Sequence, residues 1–503
     1  MEPSAIESTG VLIIGSGFAG LAMAAQLCEA GRRDFVILEA ADAVGGTWRA
    51  NHYPGCACDI PSHLYSLSFA PRPDWSRSYA PHDEIRAYLE HAAARWQLHR
   101  HLRCGAAVVA ATLDEAQARW TITTADGRRF QAPIAVMALG GLSRPTTPHL
   151  PGLAQFAGAT WHSAAWNHRY DLAGKRVAVV GTGASAIQFV PHVVKAAGQV
   201  HLFQRTPPWV LPRRDRAYTD RERWAFRHVP GARALHRATL YLRHELRAIP
   251  FTLAPQVLRW VQPLALRHLH AQVADPALRA TLTPSYVLGC KRILMSNDYY
   301  PALAQPHVEV VTDAITGVTP DGVVTADGRA RPVDAIIFGT GFAVHDYLGG
   351  IAVTGRAGAD LGARWADTPE AYLGTMVDGF PNLFTLIGPN TGLGHNSMLL
   401  MIEAQVRLVM STLAAMARHD HVLVEPRPEA VRAYNDELAA RMPKTVWSTG
   451  CTSWYRDAAG RNPTLWPGST VEFAARTWRF DARAYRCEPR PTPATRPTLV
   501  RVA

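Results

Sequence analysis

The chain has 503 residues, 48% of them hydrophobic and 18% charged, which excludes a disordered, collagen-like or coiled-coil protein. At roughly 100–200 residues per domain, it has room for about three domains or two large ones. The formal charge of +11 comes from 52 Lys and Arg against 41 Asp and Glu, but 48 of these cations are arginines scattered along the whole chain. A nucleic-acid site would cluster its cations, so we expect no nucleic-acid partner.

The cysteines and the apolar segments bear on where the protein works. Seven cysteines at irregular spacing, with no Cys-x-x-Cys pair, predict reduced thiols in a cytoplasmic protein. The N-terminus lacks the basic region of a secretory signal. The apolar stretches 11–27 and 398–417 are interrupted by glycines or by Glu403 and Arg407, so no membrane span is expected.

The first forty residues follow the order strand, glycine turn, helix, strand, acid. The apolar run 11–14 predicts a buried strand, and a second strand at 33–38 ends at Glu39. The turn between the first strand and the helix contains Gly15, Gly17 and Gly20. Such glycines permit the turn, the approach of a pyrophosphate and close helix packing, while the acid accepts hydrogen bonds from a ribose. The segment is predicted to bind a dinucleotide.

The same order recurs after residue 174, with one change at its end. A strand at 175–180 precedes a turn with Gly181, Gly183 and Ala186, and a helix and a strand at 200–203 follow. This second strand ends in Arg205 and Thr206 where the first motif has an acid. A cation suits a 2′-phosphate that a carboxylate would repel. The first site is therefore expected to bind FAD and the second NADPH, although Arg205 could also be a solvated strand end.

Two apolar strands that close on glycines predict how the domains are connected. The segments 134–141 and 334–342 resemble each other and are interpreted as the two crossings between the domains. This interpretation predicts an FAD-binding domain in two parts, 1–150 and 331–503, with an NADPH-binding domain inserted at 151–330. The expected fold class is α/β, with two Rossmann-like dinucleotide-binding domains, the second inserted in the first.

Two further segments have a distinct composition. The stretch 215–290 is rich in Arg, Leu, Ala and His at helical spacing and predicts a helical lobe within the inserted domain. The tail from Pro489 has four prolines among fifteen residues and is expected to be an extended strap or a frayed end.

A family resemblance is carried by two motifs. The residues Phe156, Gly158, His162 and Trp166 resemble the F-x-G-x3-H-x3-W fingerprint of type I Baeyer–Villiger monooxygenases, at the position before the second glycine turn that the family has. The residues Gly46, Thr47, Trp48, Tyr53 and Asp59 are similar to the family's second motif. The resemblance covers about residues 10–400. The chain departs from the family at Asn167, where the family has Pro or Asp.

The resemblance implies a function and a catalytic pair. Such an enzyme consumes NADPH and O2, and it inserts oxygen beside a ketone by way of a C4a-peroxyflavin to give an ester or lactone. Arg292 matches the family's catalytic arginine, which would stabilise the peroxide anion and the oxyanion formed from the ketone. Asp59 matches the acid that holds this arginine. A plain surface salt bridge is the alternative for this pair.

The remaining matched residues are expected to bind cofactor or to couple the domains. The residues Gly46, Thr47, Trp48, Tyr53 and Asp59 are expected to lie at the flavin, and Lys291 is expected to clamp the 2′-phosphate together with Arg205 and Thr206. The fingerprint residues, His162 and Trp166 among them, would lie at the hinge and couple domain rotation to cofactor position. A purely structural histidine is the alternative for His162. Cys56 and Cys58 are expected to be small buried residues near the flavin.

Three other functions remain open. Flavin monooxygenases that act on nitrogen or sulfur share the Phe, Gly and His of the fingerprint but have a different aromatic at the position of Trp166. A flavin disulfide reductase is disfavoured by the missing Cys-x-x-Cys, and a redox sensor without turnover by the intact Arg292 and Asp59. The expected partners are a small hydrophobic ketone and O2, with no metal, in a monomer or homodimer.

Overall fold

A computed structural model describes residues 6–457 and 459–490 of the chain. The predicted tail lies outside these ranges apart from Pro489 and Arg490. Two five-stranded parallel sheets form the centre of the structure, and each is built on one of the two glycine-turn motifs.

The first sheet carries the first glycine turn. All its strand pairs are parallel, and the strands at its centre are fully buried because they consist of apolar runs. In spatial order its strands are Leu383–Thr385, Ile134–Met137, Val11–Ile14, Phe35–Leu38 and Leu102–Arg103. One edge strand thus comes from the C-terminal third of the chain, so this sheet is assembled from two separated parts of the sequence.

The second sheet carries the second glycine turn and is also parallel throughout. In spatial order its strands are Val308–Val311, Gln199–Phe203, Arg176–Val180, Ala335–Phe338 and Ala159–His162. Along the sequence, all five of these strands lie between residues 159 and 338, and no strand of the first sheet falls within that range. The second fold is therefore inserted in the first, and the α/β fold class with two dinucleotide-binding folds is confirmed.

One strand assignment from the sequence is wrong. The segment 334–342 was assigned to the second part of the FAD-binding domain, but its strand Ala335–Phe338 pairs in register with Arg176–Val180 and Ala159–His162. It occupies in the second sheet the place that Ile134–Met137 has in the first, beside the strand before the glycine turn. This equivalence explains why the two segments resemble each other, and it moves the boundary past residue 330.

Smaller sheets complete the β structure. A third five-stranded sheet, partly antiparallel, contains Glu7–Ser8, Arg129–Ala132, Arg119–Thr124, Val108–Asp114 and Ala352–Thr354. The others are a meander of Ile315–Thr319, Gly322–Thr325 and Ala330–Pro332, and two pairs, Val210–Leu211 with Leu294–Met295 and His421–Pro426 with Tyr485–Pro489.

Helices cover the sheets and form a lobe on the inserted part. The helices outside the lobe are Phe18–Glu29, Thr47–Ala50, His82–Arg95, Ala186–Ala196, Tyr299–Leu303, Leu361–Trp365, Met398–Arg418, Pro428–Arg441 and Thr470–Arg476. The range 215–290 contains Asp220–His228, Ala232–Glu245, Ala248–Thr252, the 3-10 helix Pro255–Trp260, Gln262–Gln272 and Pro276–Leu282. We refer to this range as the helical lobe.

The longest helix, Met398–Arg418, is long and apolar enough to cross a membrane by length and composition alone. This helix covers the apolar stretch 398–417, for which the sequence predicts no membrane span. Eleven of its residues are buried, and it packs against the helix Phe18–Glu29. Core helices of water-soluble folds have the same properties, so its apolar character is explained by packing against the first sheet's helix.

A disulfide corrects the prediction that all cysteines are reduced thiols. Cys290 and Cys451 are bonded across 161 residues, with their Cα atoms 6.2 Å apart. Cys28, Cys56, Cys58, Cys104 and Cys487 are free. The bond ties the residue before Lys291 to a C-terminal segment. Spacing could not reveal it because its halves lie far apart in the sequence.

Thiol titration tests this bond. Denatured, unreduced protein should contain five reactive thiols per chain, and reduced protein all seven. Because the bond restricts a long loop in the unfolded chain, its reduction should lower stability by about 2–4 kcal/mol, measured by denaturant unfolding with and without dithiothreitol. Seven thiols before reduction would contradict the pairing.

Candidate active site

The two glycine turns have the same geometry. Gly15 and Gly181 have φ of 104° and 108°, a conformation that favours glycine. A Cβ on Gly15 would lie 2.6 Å from the carbonyl oxygen of Ala138, and a Cβ on Gly181 would lie 2.5 Å from that of Gly339. Each turn therefore packs against the end of the neighbouring strand. The helix after the first turn begins at Phe18 without a side-chain cap, so its first N–H groups are free to bind an anion.

The other turn glycines are needed for close approach. A Cβ on Gly20 would lie 1.9 Å from the Gly15 oxygen, so helix and turn could not pack as they do. A Cβ on Gly17 or Gly46 would fill the narrow space between these two glycines, which lie side by side. Around Gly183 nothing lies within 4 Å of an added Cβ, and Ala186 is fully buried where the first motif has Gly20. These turns fit the pyrophosphates of two dinucleotides.

Glu39 lies at the end of the second strand of the first sheet and is almost fully buried. Its carboxylate accepts hydrogen bonds from the N–H and hydroxyl of Ser16 (2.8 and 2.6 Å) and from the N–H of Ala41 (2.9 Å). These bonds fix the carboxylate beside the glycine turn, where a ribose would lie.

The second site contains the two cations expected there. Burial lowers the pKa of Lys291, and the positive charge of Arg205 lowers it further, so Arg205 lies within electrostatic range of Lys291. The Lys291 ammonium also lies 4.9 Å from the centre of the Tyr286 ring. The Thr206 carbonyl accepts a hydrogen bond from the Thr182 hydroxyl (3.2 Å), which ties this strand end to the glycine turn. Two neighbouring cations beside a glycine turn fit a 2′-phosphate.

The segment with Thr47, Trp48 and Tyr53 lies against the first glycine turn. Thr47 begins the short helix Thr47–Ala50 that follows Gly46. Trp48 and Tyr53 are buried, and the Trp48 indole donates a hydrogen bond to the Tyr65 hydroxyl (3.1 Å). This segment thus packs as a wall beside the expected flavin site.

Arg292 and Asp59 form an ion pair across 233 residues. Arg292 donates from Nε and from Nη2 to the same Asp59 oxygen, at 2.9 and 2.5 Å, and each side chain is about one-third exposed. Burial would raise the pKa of Asp59, but the charge and hydrogen bonds of Arg292 outweigh it and hold that pKa below its usual range. Asp59 in turn raises the pKa of Arg292. Both groups are therefore charged at neutral pH.

Two residues beside this pair were missed by sequence reasoning. Arg213 donates a hydrogen bond to the carbonyl of Cys58 (3.0 Å), next to Asp59. Tyr455 is buried, and burial raises its pKa to about 12 although the charge of Arg292 opposes this. Tyr455 lies four residues after the disulfide-bonded Cys451. No spacing in the sequence relates it to Arg292, so only the fold could show it.

The fingerprint residues line the edge strand of the second sheet. Gly158 precedes the strand Ala159–His162, and a Cβ on it would lie 2.5 Å from both the Asp334 oxygen and the Phe156 ring. His162 is buried, its Nδ1 accepts a hydrogen bond from the Ala164 N–H (3.1 Å), and burial lowers its pKa. A neutral histidine that caps a turn is better suited to positioning than to proton transfer.

Trp166 connects the two motif segments through aromatic contacts. Its ring centre lies 5.2 Å from that of Phe189, which lies 5.9 Å from that of Tyr53. In the helix Ala186–Ala196, the side-chain oxygen of Gln188 accepts a hydrogen bond from the Ala57 N–H (2.8 Å). The second sheet's helix thus contacts the segment that ends in Asp59. Asn167, which departs from the family, is exposed and accepts the N–H of Arg169, so it takes no part in this packing.

Two cysteines and a search for metal ligands complete the description of the site. Cys56 and Cys58 are buried free thiols whose pKa values burial raises, as expected of inert packing residues. Within residues 6–457 and 459–490, no group of three or more His, Cys, Asp or Glu is arranged to hold a metal ion.

Comparisons with known proteins bear on the fold and the family of the chain. Residues 12–219 match the family model described as pyridine nucleotide-disulphide oxidoreductase. A solved structure of cyclohexanone monooxygenase from Rhodococcus sp. Phi1, bound to NADP+, is 27% identical, with a TM-score of 0.85 over 97% of this chain and 100% of that one. A structure of OTEMO in complex with FAD and NADP is 25% identical, with a TM-score of 0.87 over 96% of this chain and 100% of that one.

A curated relative covers nearly the whole of both chains. A Baeyer–Villiger monooxygenase of Pseudomonas aeruginosa is 49% identical over 494 residues, which are 98% of this chain and 94% of the relative. Together with the two glycine turns and the Arg292–Asp59 pair, this similarity shows that the chain belongs to the Baeyer–Villiger monooxygenase family.

Proposed function

We propose that the protein uses FAD, NADPH and O2 to convert a hydrophobic ketone to an ester or lactone, with Arg292 as the catalytic residue. The observation that carries this proposal is the Arg292–Asp59 pair, which holds a permanent cation at the contact between the two dinucleotide folds. N- or S-oxygenation needs no such cation.

The two sheets divide the cofactors between them. The first glycine turn with Glu39, and the Gly46–Tyr53 segment beside it, would hold FAD. The second turn would hold NADPH, whose 2′-phosphate Arg205, Thr206 and Lys291 would contact. Bound FAD, once reduced by NADPH, supplies the activation of O2.

Arg292 would act on charge that develops at the ketone. A guanidinium stays protonated when water is excluded, so it presents a fixed positive charge to the carbonyl oxygen as that oxygen becomes negative. Its Nε and Nη2 are bound to Asp59, which leaves Nη1 as the free end of the fork. Arg292 can therefore donate to the reacting oxygen without losing its anchor.

Asp59 acts through Arg292 and is a positioning residue. An arginine side chain loses substantial rotamer freedom when it is fixed, and two hydrogen bonds to one carboxylate oxygen fix its orientation before substrate binds. The lowered pKa of Asp59 keeps this carboxylate charged.

The fingerprint residues Phe156, Gly158, His162 and Trp166 are proposed to couple the two folds. The contacts from Trp166 through Phe189 to Tyr53 would transmit a rotation of the second sheet to the segment that carries Asp59. The buried, neutral His162 holds the turn before Trp166 in place.

The surroundings of the pair favour an apolar ketone. A buried cluster that includes Trp209, Phe251, Leu288, Trp447 and Tyr455 lies on the lobe side of Arg292. We propose a cytoplasmic monomer or homodimer. NADPH is an intracellular reductant, which supports the cytoplasmic location.

The Arg292→Ala variant tests the catalytic assignment. It should still oxidise NADPH in the presence of a ketone, but ester formation should fall by about 10²–10³-fold because a preorganised cation at the developing oxyanion is lost. NADPH consumption and ester yield, measured by gas chromatography over a panel of ketones and one thioether, give both quantities.

Arg483→Ala is the matched control. Arg483 also pairs with an aspartate, Asp481 at 2.9 Å, but on the open surface, so its loss should leave ester yield unchanged. Normal ester yield from Arg292→Ala would sink the assignment, and a wild-type enzyme that oxidises only the thioether would favour the S-oxygenating alternative.

The 2′-phosphate clamp predicts a change in coenzyme preference. In the double variant Arg205→Ala/Lys291→Ala, kcat/KM for NADPH should fall by about 10²-fold or more, because two charge-assisted contacts are lost, while kcat/KM for NADH stays within about twofold. Steady-state kinetics with both coenzymes measure this. The control is Lys195→Ala, which removes an exposed lysine from the helix Ala186–Ala196 and should change neither value of kcat/KM. An equal fall in kcat/KM for both coenzymes in the double variant would refute the clamp.

The lowered pKa of Lys291 predicts a pH dependence. As pH rises through this pKa, Lys291 in the free enzyme loses its charge, so the NADPH/NADH ratio of kcat/KM should fall on the alkaline side earlier than an ordinary lysine would cause. Lys291→Arg should remove this fall because arginine stays protonated. A pH profile of the ratio that is the same in Lys291→Arg and wild type would contradict this role.

A further inference from the structure

The helical lobe exposes an unusual amount of apolar surface. Of the fifteen large hydrophobic residues that are exposed in the described parts of the chain, nine lie within residues 224–264. They are Trp224, Val229, Leu235, Leu242, Leu246, Ile249, Leu253, Trp260 and Leu264. Isolated exposed apolar residues are ordinary, but such a concentration marks an interaction surface.

Five of these residues form one stripe along consecutive helical turns. Leu235, Leu242, Leu246, Ile249 and Leu253 follow each other at intervals of seven, four, three and four, which places them on one face of the helices Ala232–Glu245 and Ala248–Thr252. The Leu246 and Arg247 backbone between these helices is also in the α region.

The stripe lies opposite the face that packs on the protein. The buried residues of the same two helices, Leu240, His244, Ala248, Phe251 and Thr252, fall on the other side of the helical wheel. Leu235 is 71% exposed and Leu253 is 75% exposed. The stripe therefore contributes nothing to the protein core.

Arginines without acidic partners accompany the stripe. Residues 221–270 contain nine arginines and only two acids, Glu222 and Glu245. Glu222 is bound by Arg216, and Glu245 by Asn396 and Thr470. Among the residues with described side chains, four exposed arginines of the lobe have no carboxylate within 4 Å and no inward contact, namely Arg221, Arg243, Arg259 and Arg267. The Arg247 guanidinium instead contacts the ring of the buried His244 (3.4 Å).

From this surface we propose that the helical lobe docks on an anionic lipid membrane. The lobe combines an exposed apolar stripe with exposed arginines and an exposed tryptophan, which is the composition of a surface that lies in the membrane interface, where leucines enter the acyl boundary and arginines meet phosphate groups. Trp260, 82% exposed, would lie at the headgroup level beside Arg259.

Charge argues against the other occupants. A second copy of this chain on the same face would bring the lobe's unpaired arginines against one another. The chain's own residues 491–503 contain two arginines and no acid, so they do not complement the surface either. A bilayer with anionic headgroups supplies both the apolar phase and the negative charge.

Vesicle co-sedimentation of the full-length holoenzyme tests the proposal. We expect at least tenfold more protein bound to vesicles of phosphatidylcholine and phosphatidylglycerol at 7:3 than to vesicles of phosphatidylcholine alone, and a marked loss of binding in 0.5 M NaCl. The triple variant Leu235→Gln/Leu242→Gln/Leu246→Gln and the variant Arg243→Gln/Arg259→Gln/Arg267→Gln should each reduce binding to the mixed vesicles by tenfold or more.

The matched control changes three exposed apolar residues outside the lobe, Val109→Gln/Leu142→Gln/Val471→Gln, and should bind like wild type. Equal flavin content and melting temperature in all variants verify folding. Absence of binding to the mixed vesicles, equal binding to both compositions, or unchanged binding of the leucine variant would overturn the proposal. So would sedimentation velocity without lipid that shows a wild-type dimer and a monomeric leucine variant, since a second copy would then cover the stripe.

Discussion

The ion pair between Arg292 and Asp59 is the interaction on which the organisation of the site depends. A partly buried arginine loses some of its hydration, and a carboxylate partner compensates for that loss. Here the partner comes from the first fold and the arginine from the inserted one, so the pair forms only when both folds are in place. The ion pair that orients Arg292 therefore also requires the correct arrangement of the two dinucleotide folds.

Other features hold the two ends of this pair in place. The disulfide from Cys290 restrains the chain immediately before Lys291 and Arg292, and Arg213 binds the carbonyl immediately before Asp59. Lys291 and Arg292 are adjacent in sequence but have different surroundings: Lys291 lies against Tyr286, and its pKa is lowered by burial and by the charge of Arg205, whereas Arg292 binds Asp59. In the proposed function, one short segment would therefore link recognition of the coenzyme phosphate to the position of the catalytic cation.

Local patterns carried most of the prediction, and long-range pairings limited it. The glycine turns, Glu39 and Arg205 were predictable because a dinucleotide fold places them at fixed offsets from apolar strands. The strand Ala335–Phe338 was assigned to the wrong sheet because it is equivalent to Ile134–Met137, and two copies of one fold have similar sequences at equivalent positions. The three-residue strand Leu383–Thr385 is too short to show a period.

The disulfide and Tyr455 were not predictable because their partners lie more than 150 residues away. The helical lobe illustrates a further limit. Its Leu and Arg content predicted helices, but periodicity does not tell which of two apolar faces is buried. Burial in the structure shows that Leu240 and Phe251 pack inward while Leu242 and Leu253 point to solvent. The same lobe exposes arginines without carboxylate partners, so part of the excess positive charge of the chain lies on its surface.

A double-mutant cycle on ester formation tests most directly whether Asp59 acts only through Arg292. Asp59→Ala alone should lower kcat for ester formation by about 10²-fold, whereas in the Arg292→Ala background it should change kcat by less than about threefold. That strong non-additivity is what a positioning carboxylate requires. Equal effects of Asp59→Ala in the two backgrounds would show that the two residues act independently and would contradict the account.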